Sequence, residues 1–292
     1  MLDSFYKYLF EHNAYRDDSR LPDWLYLKML YYMRLGKKLH LLNPKDFNEK
    51  LQWIKLFDRN PIMCICADKH SMKEWVGQNC GNTHVYTAKT LKMWEDTEEI
   101  AIDDLPNQFV LKCTHDSGSV IICYDKNSFD LEDAKNRLSK AIKRNFYPAG
   151  REWCYKNITP RIIAEEYIDA KDGNLFDYKF FCFNGEPKVI QVNYNRIKRK
   201  PVLKFFDLDW NELNVKLIYD NDANKKIDKP EQLQEMIRIS RNLSERFKFV
   251  RIDLYISNNK IYCGELTFYP NCGFGRFEPD SFDRTLGDYL KL

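Results

Sequence analysis

Apolar residues recur along the chain with two periods, and the change between them organises it. Over 46–58, Phe47, Leu51, Ile54 and Phe57 fall three or four positions apart and predict a helix with one apolar face, closed by Pro61. Residues 1–60 as a whole read as a helical, aromatic segment. A short helix over 68–76 follows, with Asp68 as its cap and Gly77 as its stop. The period then shortens to two. Segments 108–113 and 120–124 read as strands separated by THDSGS, ahead of a helix over 131–146 with Asp130 at its N-cap and Leu131, Ala134, Leu138 and Ile142 on one face.

From 161 onward strands dominate. Segment 161–167 is one, and 177–183 meets 187–192 across Asn184-Gly185, the dipeptide that suits a type I′ turn. Segment 204–208 reads as an edge strand. Pro230 suits the first turn of a helix that Leu233, Ile237, Ser240 and Leu243 continue toward Phe247. A last hairpin joins 249–256 to 260–268 across Ser257-Asn258-Asn259. No Gly/Ser-rich linker or internal repeat breaks the pattern, so the chain is α+β with a sheet-dominated C-terminal half.

Composition narrows the function classes. In the 292 residues, 46 Lys+Arg against 43 Asp+Glu leave a net charge of +3, without the concentrated basic face that nucleic acid requires, so no nucleic-acid partner is expected. The longest uncharged apolar runs, 62–67 and 120–124, fall far short of the ~20 residues needed to span a bilayer. The first ten residues carry an early Asp and no long apolar stretch, unlike a secretory leader. The nine cysteines hold no C-x-x-C and no zinc spacing. Alternation puts Cys64 and Cys66 on one side of a strand, and Cys113, Cys123, Cys182 and Cys263 lie in strand-like runs. Reduced core thiols in a cytoplasmic protein are the expectation.

Four constellations could carry chemistry. Lys112 ends a strand before the loop Cys113 to Ser119, whose Asp116, Ser117, Gly118 and Ser119 can bring backbone N–H groups to a phosphate; the plain alternative is a polar hairpin turn. It is neither a Walker A loop nor a G-x-G-x-x-G turn. Glu165 and Glu166 end another strand, one carboxylate to each face, beside a nucleoside or simply entering solvent. In the last hairpin, Arg251 and Asp253 share a face, as do Glu265 and Thr267, and pairing brings Asp253 and Glu265 opposite each other. Two carboxylates in an apolar sheet call for Mg²⁺ or for a buried salt bridge to Arg251. Asp177 and Lys179 share a face of their strand, and Arg196, Lys198, Arg199 and Lys200 form a basic turn after its partner.

The order of these pieces resembles the ATP-grasp superfamily, and within it the TupA-like family linked to teichuronopeptide and other surface-polysaccharide biosynthesis. The resemblance takes in NPKDFNEKLQWIKLFDRNP (43–61), DKHSMKEWV (68–76), LPNQFVLKCTHDSGS (105–119), REWCYKNITPRIIAEEY (151–167), DYKFFCFNGEPKVIQV (177–192), FFDLDWN (205–211) and VRIDLY with YCGELTFYP (250–255, 262–270). It implies two α+β subdomains with mostly antiparallel sheets gripping ATP: a helical segment 1–60, then an ATP-grasp region 61–292, with a first nucleotide-binding subdomain over about 105–160 and a second over 161–292. It implies Lys69 and Lys112 as the nucleotide lysines, the loop from Asp116 to Ser119 over the phosphates, and Glu165, Glu166, Asp177 and Lys179 around the nucleotide. Asp253 and Glu265 would hold Mg²⁺, Thr267 standing where many members have Asn, and Arg251 would face the transferred phosphate with Lys112 as its catalytic companion.

The implied activity is ATP-dependent carboxylate–amine ligation through an acyl phosphate. Its substrates would be small molecules or glycan precursors, an amino acid joined to a uronic acid or amino sugar, with peripheral association to a polysaccharide-assembly complex. Arg151, Trp153 and Tyr155 could face a sugar but read better as core. The alternative is a glycosyltransferase of polysaccharide biosynthesis in which Asp207-Leu208-Asp209 serves as a D-x-D holding Mn²⁺ and a nucleotide sugar; an inactive scaffold of the same fold is a more distant one.

Overall fold

The computed structural model describes residues 21–169, 176–194, 202–217 and 226–292. Four helices lead the described chain: α1 (Asp23–Leu35), α2 (Phe47–Phe57), α3 (Ile62–Ala67) and α4 (Ser71–Asn79). Helix α2 follows the predicted period, and Glu49 turns back to accept from the Asp46 N–H at 3.3 Å in a capping box. Phe57 nevertheless stays exposed, its ring against Trp53. The strand expected around Cys64 and Cys66 is instead the helix α3, opened by Pro61 and by Asn60 Oδ1, which accepts from Ile62 N–H at 3.1 Å. Asp68 does cap α4, accepting from Ser71 N–H at 2.7 Å, but the helix runs through Gly77, where its end was expected.

A four-stranded antiparallel sheet, sheet I, has the order β1 (Thr90–Trp94), β4 (Ile162–Glu166), β2 (Phe109–Cys113), β3 (Ile121–Cys123). One face packs Phe109, Leu111, Cys113, Ile162 and Ala164 on Ala134, Leu138 and Ala141 of α5 (Leu131–Ile142), which ends four residues before the predicted boundary. A one-turn helix α6 (Tyr147–Gly150) follows. Because β1 and β4 both belong to sheet I, the first lobe reaches beyond 105–160, and β4 is not part of the second subdomain.

Sheet II has six strands in the order β11 (Lys260–Thr267), β10 (Phe249–Ser257), β5 (Asp177–Phe183), β6 (Glu186–Tyr194), β7 (Val202–Phe206), β8 (Glu212–Leu213), all neighbours antiparallel. The predicted edge strand β7 is thus flanked on both sides. Asn184 (φ 49°) and Gly185 (φ 87°) make the β5–β6 turn as expected. The β10–β11 turn is tighter than predicted: Ser257 pairs with Lys260, leaving Asn258 (φ 48°) and Asn259 (φ 61°) as a two-residue loop. A short sheet of β9 (Lys216–Leu217) and β12 (Phe277–Glu278), with helices α7 (Leu233–Ser244) and α8 (Ser281–Tyr289), completes the chain. Helix α7 begins after Pro230 rather than on it.

The two faces of sheet II differ. Phe180, Cys182, Val250 and Ile252 are buried in one core with Met236, Ile239 and Leu243 of α7. On the other face Phe181, Phe183 and Phe249 surround Phe47 of α2, with ring centroids 6.3, 5.7 and 4.8 Å away. Helix α2 therefore belongs to the core of the second lobe and not to a separate N-terminal segment. Helix α1 has its own small cluster around Tyr26, Leu27, Leu30 and Tyr31. The lobes are tied by the segment before β1: Tyr86 N–H donates to Ile261 O at 2.9 Å, and Cys263 N–H to Tyr86 O at 2.8 Å, so it lies against the edge strand β11. All nine cysteines are free thiols.

Candidate active site

Beyond Phe181 and Phe249 the face of sheet II that α2 covers turns polar, because alternation continues through Lys179 and Asp177 on β5 and Arg251 and Asp253 on β10. Asp253 lies opposite Lys179 on one side and Glu265 on the other, as the hairpin pattern required. A bulge at Gly264 interrupts the register just past that pair. Arg251 forks onto Asp253, Nε to Oδ1 at 2.6 Å and Nη2 to Oδ2 at 2.7 Å, and donates to Thr267 Oγ1 at 3.0 Å. Lys179 Nζ bonds to Asp253 Oδ2 and sits 2.8 Å from Asp177 Oδ2.

Burial alone would raise the Asp253 carboxyl, but Arg251 and Lys179 outweigh it and hold it below the usual carboxylate range. The salt-bridge alternative for Asp253 is therefore realised in this structure. Thr267 spends its hydroxyl on Arg251. Glu265 is different: its side chain makes no hydrogen bond or ion pair with the described residues. Its cationic neighbours Lys69 and Arg251 act only through space. Among the described residues no three His, Cys, Asp or Glu side chains converge as a complete metal cage. Mg²⁺ needs none, since one or two carboxylates suffice where phosphates and water fill the shell. The free Glu265 opposite Asp253 fits that requirement.

Sheet I contributes the second half. Val110, Lys112, Ile163 and Glu165 share the face away from α5, because Val110 pairs with Glu165 and Lys112 with Ile163. Glu165 is 4% exposed, and each of its oxygens meets a lysine at 2.5 Å: Oε2 meets Lys112 and Oε1 meets Lys73. Lys73 also donates to Thr90 Oγ1 at 2.7 Å. Glu166 instead accepts from Lys89 N–H at 2.9 Å at the sheet edge. Sequence reasoning missed Lys73, although its place four residues after Lys69, on the way into α4, was the available signal.

Lys69 reaches the loop between β2 and β3, donating from Nζ to Asp116 O, with Asp116 Oδ1 at 3.9 Å. Burial lowers the Lys69 ammonium, with Glu265 and Asp116 opposing it. The loop is ordered from within: Ser119 Oγ donates to Asp116 Oδ1 at 2.6 Å and accepts from Cys113 N–H at 2.9 Å, while Gly118 (φ 103°) makes the bend. Ser117 is exposed. Beside Lys73 a cleft of about 790 Å³ opens, lined by His70, Trp75, Lys89, Thr90 and Arg161.

In the D-x-D, Asp207 accepts within its own turn, Oδ1 from Asp209 and Asn211 N–H at 3.0 and 2.8 Å and Oδ2 from Asn211 Nδ2 at 2.8 Å. Arg151 is core, as preferred: it is buried, 3.2 Å from Asp23 and 4.3 Å over the Tyr26 ring. Trp153 and Tyr155 are partly buried against the core of sheet II. Arg196, Lys198, Arg199 and Lys200 lie outside the described residues.

Two antiparallel α+β lobes, each presenting lysines bound to buried carboxylates, define the fold and the site. The chain belongs to the family described as TupA-like ATPgrasp, which matches residues 49–291. No curated protein matches it. Among solved structures it is similar to the ATP complex of D-alanine–D-alanine ligase from Bacillus anthracis, at 16% identity and TM-score 0.43 over 70% of this chain and 55% of that one. The chain thus spans little more than half of that enzyme. It is also similar to D-alanine–D-alanine ligase from Helicobacter pylori (14%, TM-score 0.41, 85% and 70% covered). A third is phosphoribosylglycinamide synthetase from Anaerococcus prevotii (15%, TM-score 0.38, 76% and 48% covered).

Proposed function

We propose that the protein is an ATP-dependent carboxylate–amine ligase that binds Mg-ATP between the two sheets. The observation that carries this reading is the arrangement of Lys69, Lys112, Lys179 and Arg251 around Glu165, Asp253 and Glu265 in a member of the TupA-like ATP-grasp family. Lys69, Lys112 and the loop from Asp116 to Ser119 bind the phosphates. Glu165, Glu166 and Asp177 take the nucleoside side, and Lys73 holds Glu165 in place. Lys179 and Arg251 face the terminal phosphate. Glu265 would hold Mg²⁺, with Asp253 joining it where the phosphates draw Arg251 and Lys179 off its carboxylate, and the ion would supply neutralisation of phosphate charge.

No nucleophilic side chain is required. A substrate carboxylate oxygen attacks the γ-phosphorus, the bond to the ADP oxygen breaks, and an acyl phosphate forms. An amine nitrogen then attacks the acyl carbon, phosphate leaves with the bonding pair, and the amine gives up its proton. The chain's own share is alignment and charge neutralisation. Following the family's link to surface polysaccharide, the substrates are an amino acid and a uronic-acid or amino-sugar unit of a glycan precursor. Among the described residues no helix is long and apolar enough to cross a membrane.

The first test is thermal unfolding with and without Mg-ATP, for wild type and Lys112→Ala. At ligand about 100 times Kd, binding adds roughly 2.7 kcal/mol, a shift of a few degrees in a chain of this size. Wild type is expected to shift and Lys112→Ala to lose most of the shift. No response to Mg-ATP in wild type overturns the reading. Formation of an amide product from a panel of amino acids and uronic acids then tests the substrate class.

A further inference from the structure

Helix α2 buries four polar residues that its apolar period did not announce, Asn48, Glu49, Gln52 and Lys55. Asn48, Gln52 and Lys55 lie three or four positions apart on the face turned to the chain after β11. Lys55 is 1% exposed, yet its ammonium is fully satisfied. It donates to Gln52 Oε1 at 3.0 Å, Gly150 O at 2.8 Å and Cys272 O at 2.8 Å, its three protons finding three acceptors. It also lies 4.9 Å from the Phe274 ring centroid. Gln52 donates to Gly273 O at 2.7 Å. Asn48 donates to Gly275 O at 2.8 Å and accepts from Gly275 N–H at 3.2 Å.

What these side chains hold is strained. Asn271, Cys272 and Gly273 have φ of 51°, 55° and 65°, three consecutive residues in the left-handed region, two of them not glycine. Such backbone persists only where its surroundings over-determine it. Close approach reinforces the hold: a Cβ on Gly273 would overlap Gln52 Nε2, and one on Gly150 would overlap Cys272 Sγ. The turn begins four residues after Thr267, which anchors Arg251. The segment gripped at Gly150 continues to Glu152 and Tyr155. Burial raises the Glu152 carboxyl, with the Lys55 charge opposing it, and burial raises the Tyr155 hydroxyl, with the charges of Glu152 and Glu265 adding to it.

We propose that α2, through Lys55 with Gln52 and Asn48, clamps the left-handed turn Asn271–Gly273 and so positions Arg251 and Glu265 at the phosphate end of the site. Lys55 is a positioning residue: it touches the turn, not the nucleotide. The proposal rests on the ATP-binding reading above, and it gives the N-terminal part of the chain a role in that site.

The test compares Mg-ATP with AMP binding, by calorimetry, in wild type, Lys55→Met and Gln52→Leu. AMP reports the base end alone. Each variant is expected to weaken Mg-ATP by about tenfold or more while leaving AMP within about twofold, the size that strain in one or two residues can carry. Adding Asn271→Gly and Cys272→Gly to Lys55→Met removes the need for restraint and is expected to restore Mg-ATP binding. Equal loss of both ligands, no loss of either, or no rescue by the glycines overturns the clamp. If Lys55→Met does not fold, Gln52→Leu with the same two glycines decides. Wild type that binds neither ligand defeats the ATP-binding reading itself, and the clamp with it.

Discussion

Asp253 and Asp283 are both buried carboxyls, and their surroundings drive them in opposite directions. Asp253 has two cations against it, and they hold its carboxyl below the usual range, burial notwithstanding. Asp283, on α8, has no ion-pair partner among the described residues; it accepts from Asn48 N–H at 3.0 Å, and burial pushes it up to about 6. A carboxyl raised in the folded state binds its proton more tightly there than in the unfolded chain. Its contribution is therefore fully favourable below about pH 4 and is lost as pH rises to about 6. The shift corresponds to roughly 2–3 kcal/mol at neutral pH. Asp283→Asn keeps the acceptor and removes the charge, so we expect it to melt a few degrees above wild type at pH 7.5. The gap should close by pH 4. A variant less stable than wild type at pH 7.5 would show that the ionised carboxylate is needed.

Elements were legible where local chemistry and burial agree. The β5–β6 hairpin follows from alternation plus Asn184-Gly185, and Gly185 is required twice over. Its φ is 87°, and an added Cβ would lie 3.3 Å from Glu245 Cα. Gly185→Ala should lower stability by about 1–2 kcal/mol, read as a lower urea midpoint with unchanged slope. An unchanged midpoint would mean that the turn adapts. Local chemistry failed where distant partners decide. Ile62 to Ala67 is a short apolar run that periodicity does not tell from a buried strand, and Pro61, Asn60 and the packing beneath make it helical. In α2 the apolar stripe was readable. The buried Lys55 was not, because its acceptors lie at Gly150 and Cys272, far along the chain.

At the scale of the whole molecule, the order of the candidate site residues and the pairing of Asp253 with Glu265 were readable, but the contacts between separate elements were not. Glu165 was placed on one sheet face from alternation, but that Lys73 and Lys112 would each take one of its oxygens depends on how α4 lies beside sheet I. The lobes are also unequal. The core of sheet I has Trp94 and Phe109 as its buried aromatics among the described residues, whereas that of sheet II holds Phe47, Phe180, Phe181, Phe183, Phe205 and Phe249. Less buried area lowers the free energy of local opening. Sheet I should therefore exchange its amide hydrogens faster than sheet II in the free protein. The ties between the lobes include the Tyr86 hydrogen bonds to β11 and the Lys69 N–H bond to Thr114 O through the main chain, the ion pair of Arg161 with Asp68, and the side chains of Lys69 and Lys73, which reach sheet I and its loop from the start of α4. A ligand held by Lys112 on one lobe and Lys179 and Arg251 on the other adds its binding free energy to every opening that separates them. Saturating Mg-ATP is thus expected to slow exchange in 109–123 and 162–166 by about tenfold or more, with little change at the centre of β5 and β10. Exchange in 109–123 that ignores Mg-ATP would mean the nucleotide does not bridge the lobes.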